Sequence, residues 1–148
     1  MNSWQGIPLN RFPFFRQQAV NDCGLACLRM IAAYYGVEYT YQPMERRERF
    51  SPQGVSMLVL CDEAEAIGLR CTSLRGSFDE FLAMAAFPCI AHWHTRHFVV
   101  VTGYDMHSIG IADPSSRRQQ IDHQQFREGW LPGHETEGIV IALSCAYP

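Results

Sequence analysis

The two halves of the sequence follow different hydrophobic periods, and that division bounds the fold. Beyond residue 87, β-rich runs crowd together: PCIAHW (88–93), HFVVVTGY (97–104), SIGIAD (108–113) and GIVIALS (138–144), each bounded by turn-prone residues. YDMHS, between the second and third runs, reads as a hairpin connection, and HQQFREGW after Asp122 as a short helix. The first half is mainly helical. From Cys23 to Tyr35 the residues Leu25, Leu28, Ile31, Ala32 and Tyr35 recur at three- and four-residue spacing, and Gly36 follows as a stop. A second helix is expected from about Gly54 to Ile67, ahead of Gly68. Ser77 and Glu80 have capping-box spacing before Phe81, Leu82 and Met84, which predicts a short third helix.

No repeat, low-complexity tract or linker interrupts the chain, so its 148 residues are read as one domain, 1–148, whose halves pack as two lobes. The expected fold class is α+β: a helical N-terminal lobe packed on an antiparallel β-sheet C-terminal lobe. A chain of this length buries a sufficient core without disulfides or a structural metal.

Composition excludes several classes. Twelve basic against fifteen acidic residues give a net charge of -3, which leaves no electrostatic footprint for nucleic acid. Arg16, Arg46, Arg47, Arg49, Arg117 and Arg118 form only small clusters, read as solvated surface. The N-terminus MNSWQGIPLNRFPFF lacks the charged start and apolar core of a signal peptide, and no segment approaches the ~18 apolar residues of a membrane span. The chain therefore reads as soluble and cytoplasmic. Its six cysteines, Cys23, Cys27, Cys61, Cys71, Cys89 and Cys145, lie in apolar segments without C-x-x-C spacing, so most are expected as free thiols.

One of them stands apart. In QQAVNDCGLACLRMIAAYYG (17–36), Cys23 falls where the helical pattern begins, and a helix N-terminus favours negative charge on a sulfur that acts as nucleophile or metal ligand. His97 opens one β run and Asp113 closes the next, so a hairpin would bring imidazole and carboxylate to one end of the sheet. With Cys23 opposite, these are a nucleophile, a base and an orienting group. Gln17, upstream of Cys23, could set its side-chain amide beside the Cys23 backbone N–H as an oxyanion hole. Taken singly, each also has a structural reading: a core thiol, a strand-end histidine, a turn aspartate before Pro114 and a solvated amide. Their order along the chain repeats that of a papain-like arrangement. A zinc site from His92, His94 and His97 in HWHTRH competes for the same residues, but WHTR reads as a turn that sends His97 in another direction. His107, His123 and His134 sit in polar, loop-like surroundings and are expected to do nothing catalytic.

The chain resembles the C39 peptidases, the double-glycine leader peptidases that usually form the N-terminal domain of peptidase-containing ABC transporters. The matching stretches are QQAVNDCGLACLRMIAAYYG, GVSMLVLCDEAEAIGL, PCIAHWHTRHFVVVTGY and IADPSSR, with FREGWLPG and GIVIAL completing the coverage. CIAHW and HFVV look closest to the colicin V type. The resemblance implies a papain-like cysteine peptidase in which Cys23 is the nucleophile, His97 the general base, Asp113 the orienting carboxylate and Gln17 the oxyanion glutamine. Relatives that have lost activity generally lack the cysteine, which this chain keeps. It implies a precursor peptide cut after a Gly-Gly type pair, the transmembrane and ATP-binding domains of an ABC transporter as partners, and a location as the cytosolic domain of an inner-membrane transporter. A thiolate mechanism implies no metal or organic cofactor.

The rival reading is a non-catalytic C39-like docking domain, against which Cys23, His97, Asp113 and Gln17 all argue. A small Gly-Gly pair provides little affinity, so an amphipathic leader helix is expected to dock on apolar side chains. Tyr39, Tyr41, Met44, Phe50, Met57 and Leu58 are the candidates.

Overall fold

The computed structural model describes residues 3–19, 21–41, 56–94 and 96–145. In chain order its elements are β1 (Gln5–Gly6), a 3-10 turn (Leu9–Arg11), α1 (Cys23–Tyr34), α2 (Met57–Ala66), β2 (Leu69–Gly76), α3 (Phe78–Met84), β3 (Cys89–Trp93), β4 (His97–Tyr104), β5 (Ser108–Ala112), β6 (Arg118–Asp122), α4 (His123–Trp130) and β7 (Gly138–Cys145). The strands form one sheet in the order β2-β7-β3-β4-β5-β6, with β1 added to the far end of β4, and every pairing is antiparallel.

Alternation along β4 sorts the core into two layers, because successive side chains of a strand point to opposite faces. Phe98 and Val100 face α1 and α2, joining Leu25, Leu28, Ile31, Leu60, Ile90, Ile141 and Leu143. Val99 and Val101 face α3 and α4, joining Phe78, Phe81, Phe126, Trp130, Ile109 and Ile111. Helices thus cover both faces of the sheet, and the N-terminus of α1 is brought over the start of β4.

The helix ends follow local chemistry. Ser77 Oγ accepts from the Glu80 N–H at 3.2 Å while Glu80 Oε1 accepts from the Ser77 N–H at 2.9 Å, the capping box expected for α3. Asp122 and Gln125 form the same reciprocal pair at the start of α4. Ser56 caps α2, accepting from the Val59 N–H, so the helix begins at Met57. The expected start at Gly54 lies outside the described residues, and Ile67 is the C-cap rather than the last helical residue.

The structure adds three features to these expectations. The first half is not only helical: Leu69–Gly76 is a strand, paired along its whole length with β7, so the supposed lobes share one sheet. Arg118–Asp122 is also a strand. Cys61 and Cys71 are not free but joined by a disulfide, because α2 packs on β2 and brings their Cα atoms to 5.4 Å. Cys23, Cys27, Cys89 and Cys145 form no disulfide. No helix among the described residues is long and apolar enough to cross a membrane.

Candidate active site

Asp22 is the N-cap of α1 and is fully buried; its backbone carbonyl accepts the first helical bond, from the Ala26 N–H at 2.9 Å. Cys23 is therefore the first helical residue, where backbone N–H groups have no partner within the helix. The residue is 6% exposed. The loop before it is knotted at the Ala19 carbonyl, which accepts both from the Asp22 N–H at 3.2 Å and from Gln17 Nε2 at 2.8 Å. The Gln17 backbone N–H in turn donates to the Pro114 carbonyl at 3.0 Å. The glutamine loop is thus tied on one side to the cap of α1 and on the other to the turn that follows Asp113.

The β3–β4 hairpin sets Trp93 opposite His97. His97 starts its strand, and Asp113 lies one residue beyond β5, which neighbours β4. The imidazole Nε2 and Asp113 Oδ1 are 2.8 Å apart, and the His97 side chain is also hydrogen-bonded to Cys23. With Nε2 committed to the carboxylate, Nδ1 is the ring nitrogen left for the sulfur. Burial opposes charging the imidazole, but the bonds to Asp113 and Cys23 and the charges on those groups outweigh it, so His97 is raised from 6.5 to about 9. Burial also works against ionising Asp113, and the bonds from His97 and Ser115 overcome it, holding the carboxyl below its usual value.

Ser115 is a site residue that sequence reasoning missed. Its backbone N–H and its hydroxyl both donate to Asp113 Oδ1, at 2.9 and 2.7 Å, the same oxygen that meets His97. The signal was present in DPSS, since an aspartate two residues before a serine is a common turn that binds its own backbone. Cys27, one turn along α1, is fully buried, and its thiol donates to the Phe98 carbonyl at 3.4 Å. Burial, with the nearby Cys23 and Asp113, pushes Cys27 well above the ordinary thiol value.

The structure does not assemble the three-histidine alternative. His94 leaves the strand at the turn, with φ 53°, and the His92 ring packs on Phe98, its centroid 5.2 Å away. Among the described residues no group of three or more His, Cys, Asp or Glu side chains is placed to hold a metal ion. His123 is helical rather than in a loop: it heads α4, with Nε2 on the Asp105 carbonyl and its ring against Phe78. Of the apolar candidates, Leu58 is 68% exposed, whereas Met57, Tyr39 and Tyr41 are half-buried against the core. Tyr39 donates to Glu63 Oε2 at 2.8 Å. Burial and the Asp22 carboxylate raise the Tyr41 phenol. Met44 and Phe50 lie outside the described residues.

Comparison with known proteins identifies the family. The sequence profile of the Peptidase C39 family matches residues 11–135. The chain belongs to the peptidase C39 family. Similar relatives of this C39 chain include the probable microcin-H47 secretion/processing ATP-binding protein MchF of Escherichia coli, 30% identical over 78% of this chain and 16% of its own length. The colicin V secretion/processing ATP-binding protein CvaB of Escherichia coli is 30% identical over 83% of this chain and 17% of its own. The chain thus spans about a sixth of the length of these relatives. Among solved structures, a double glycine motif protease from an AMS/PCAT transporter, in complex with the leader peptide, superposes with a TM-score of 0.77 at 27% identity, covering 91% of this chain and 92% of that one. The peptidase domain of Streptococcus ComA shares the fold, with a TM-score of 0.77 at 22% identity over 91% of this chain and 99% of the other.

Proposed function

We propose that this chain is a cysteine endopeptidase that cleaves the leader from a peptide precursor after a Gly-Gly type pair, in the service of export by an ABC transporter. The observation that carries the reading is the continuous hydrogen-bonded line Cys23–His97–Asp113 at the N-terminus of α1, with the Gln17 amide tied to the Ala19 carbonyl in the loop that leads to Cys23. An imidazolium against the sulfur favours thiolate. The thiolate adds to the carbonyl carbon of the second glycine, and the oxyanion is met by the Cys23 backbone N–H and the Gln17 amide. His97 passes its proton to the departing amine, the C–N bond breaks, and a thioester to the leader remains. Water, giving its proton to His97, hydrolyses that thioester and returns the thiolate–imidazolium pair. Asp113 keeps Nε2 occupied and the ring in place throughout.

A Gly-Gly pair suits a narrow approach to the sulfur because it brings no side chain between the two backbones. The leader upstream supplies affinity as an amphipathic helix laid on apolar side chains, Leu58 foremost, with Met57, Tyr39, Tyr41, Met44 and Phe50. Transmembrane and ATP-binding domains of an ABC transporter are the protein partners, which places the domain on the cytoplasmic side of the inner membrane. The test is to incubate the purified chain with a precursor bearing a double-glycine leader and to read the products by mass spectrometry. A single cut after the second glycine is expected. A precursor that is bound but left intact would replace the peptidase by a docking domain.

A further inference from the structure

α4 contributes no side chain to the reacting groups, yet it is fastened at two points to the hairpin that carries His97. The backbone N–H of His94 donates to the Gly129 carbonyl at 2.7 Å. The Trp93 indole lies directly on the Cα of Gly129: a β-carbon built there would overlap Cζ2, Cε2 and Cη2 of that ring. The indole has little room to yield, because its ring also packs on Phe126, which is fully buried, with centroids 5.4 Å apart.

Glycine inside a helix is disfavoured against alanine. Gly129 sits within α4 and is not among the residues with positive φ, so the backbone does not require it. What it provides is space for Trp93. Trp93 in turn is the direct cross-strand partner of His97, and the next residue, His94, holds a left-handed conformation that is disfavoured for a residue with a side chain. A hairpin strained at its tip needs an outside support to keep one geometry.

We infer that Gly129 is a positioning residue for the catalytic base: its bare Cα seats the Trp93 indole, and the seated Trp93 sets where its partner His97 stands relative to Cys23. The inference rests on the peptidase reading above for its consequence in catalysis, and on the contacts alone for its consequence in geometry.

The experiment compares the unaltered chain with Gly129→Ala, Trp93→Phe and the double variant. Two quantities are read: kcat and KM for leader cleavage, and the pH dependence of iodoacetamide alkylation at Cys23, followed by peptide mapping. Gly129→Ala is expected to lower kcat about 10- to 100-fold with KM unchanged, the penalty for displacing a catalytic group by about an ångström. The alkaline limb of Cys23 alkylation should move to lower pH, because an imidazole withdrawn from Asp113 and Cys23 loses what keeps it protonated. Trp93→Phe removes the six-membered ring that the new methyl would strike, so the double variant should regain kcat and the alkaline limb to the level of Trp93→Phe alone. Gly129→Ala with unchanged kcat and an unmoved limb overturns the inference, as does a double variant no better than Gly129→Ala. If Gly129→Ala does not fold, Trp93→Phe against the double variant decides: equal values support the seat, and a lower kcat or limb in the double variant refutes it. The alkylation arm needs no substrate. A chain that cleaves no leader therefore counts against the peptidase reading while the limb still decides the positioning role.

Discussion

Cys27 stands one helical turn beyond Cys23, and its thiol donates to the Phe98 carbonyl at 3.4 Å, so two cysteines on one helix face have opposite fates. Cys23 meets His97 at the open end of the helix; Cys27 is buried, bonded and pushed well above the ordinary thiol value. Cys23→Ala should abolish leader cleavage in a folded chain. Cys27→Ala should leave kcat within a few-fold and cost about 1 kcal/mol of stability through the lost hydrogen bond and small cavity. Parallel kinetics and thermal melts check this, and equal loss of activity in both folded variants would refute the assignment.

The imidazole and the carboxylate have unequal roles. His97→Ala should lower kcat by about 10²–10⁴-fold, the range for a lost general acid–base group. Asp113→Asn should retain a measurable part of the activity, because the carboxylate acts on the ring rather than on the substrate. Ser115→Ala, which removes one of three donors from Asp113 Oδ1, should be milder still. His92→Ala and His94→Ala should leave cleavage near the starting level, and a chelator should not inhibit. Inhibition reversed by added zinc would restore the metal reading.

The pH dependence has a definite sign. His97 is raised from 6.5 to about 9, so the stability that its bonds provide is full below pH 6.5 and is lost as pH rises through about 9. Asp113 is lowered, so its contribution is present above its ordinary value of 3.8 and is lost as pH falls through the depressed value. Activity should fall on the alkaline side near pH 9, and in Asp113→Asn that limb should move down. Melts of the unaltered chain and of His97→Ala across pH 6–10 should converge at the alkaline end. A constant difference across that range would contradict the coupling.

What the sequence made legible, and what it did not, divides along the sheet. HFVVVTGY is β4 residue for residue, because a central strand covered on both faces must be apolar throughout. The strands that escaped, LRCTSLRG and RQQID, form β2 and β6, the two ends of the sheet order, where much of the surface meets water and polar residues erase the pattern. The Cys61–Cys71 bond escaped with β2, since one partner lies on a strand that was not recognised. Cys23, His97 and Asp113 could be singled out because each lies at or next to an element start or end, and Gln17 because of its place upstream of Cys23. Of the support around them, Ser115 on Asp113 was signalled by the DPSS spacing, whereas Gly129 under Trp93 depends on a contact that spacing does not encode.

The Cys61–Cys71 bond closes a short loop between α2 and β2, with a sequence separation of 10, and should contribute about 2–3 kcal/mol by restricting the unfolded chain. Reductant should lower the melting temperature of the oxidised chain and leave a Cys61→Ala/Cys71→Ala variant unmoved. An unchanged melt of the disulfide-bonded chain on reduction would remove the bond from the stability account.

Leader recognition should extend well beyond the cut. A full-length leader substrate should be processed with far higher catalytic efficiency than a short peptide containing only the residues around the Gly-Gly pair. Leu58→Ala should raise KM for the full leader roughly tenfold, in line with burial of one exposed leucine, and leave the short peptide unaffected. Similar efficiency for both substrates would eliminate the helix-docking surface.

The most direct measurement uses a leader peptide that ends at its Gly-Gly pair in a chloromethyl ketone, which alkylates the nucleophile that attacks at that position. Peptide mapping of the inactivated chain should find one adduct, on Cys23, formed in step with the loss of precursor cleavage. Cleavage that survives complete alkylation of Cys23, or is lost with the adduct on another cysteine, would contradict the assignment of Cys23 as the nucleophile.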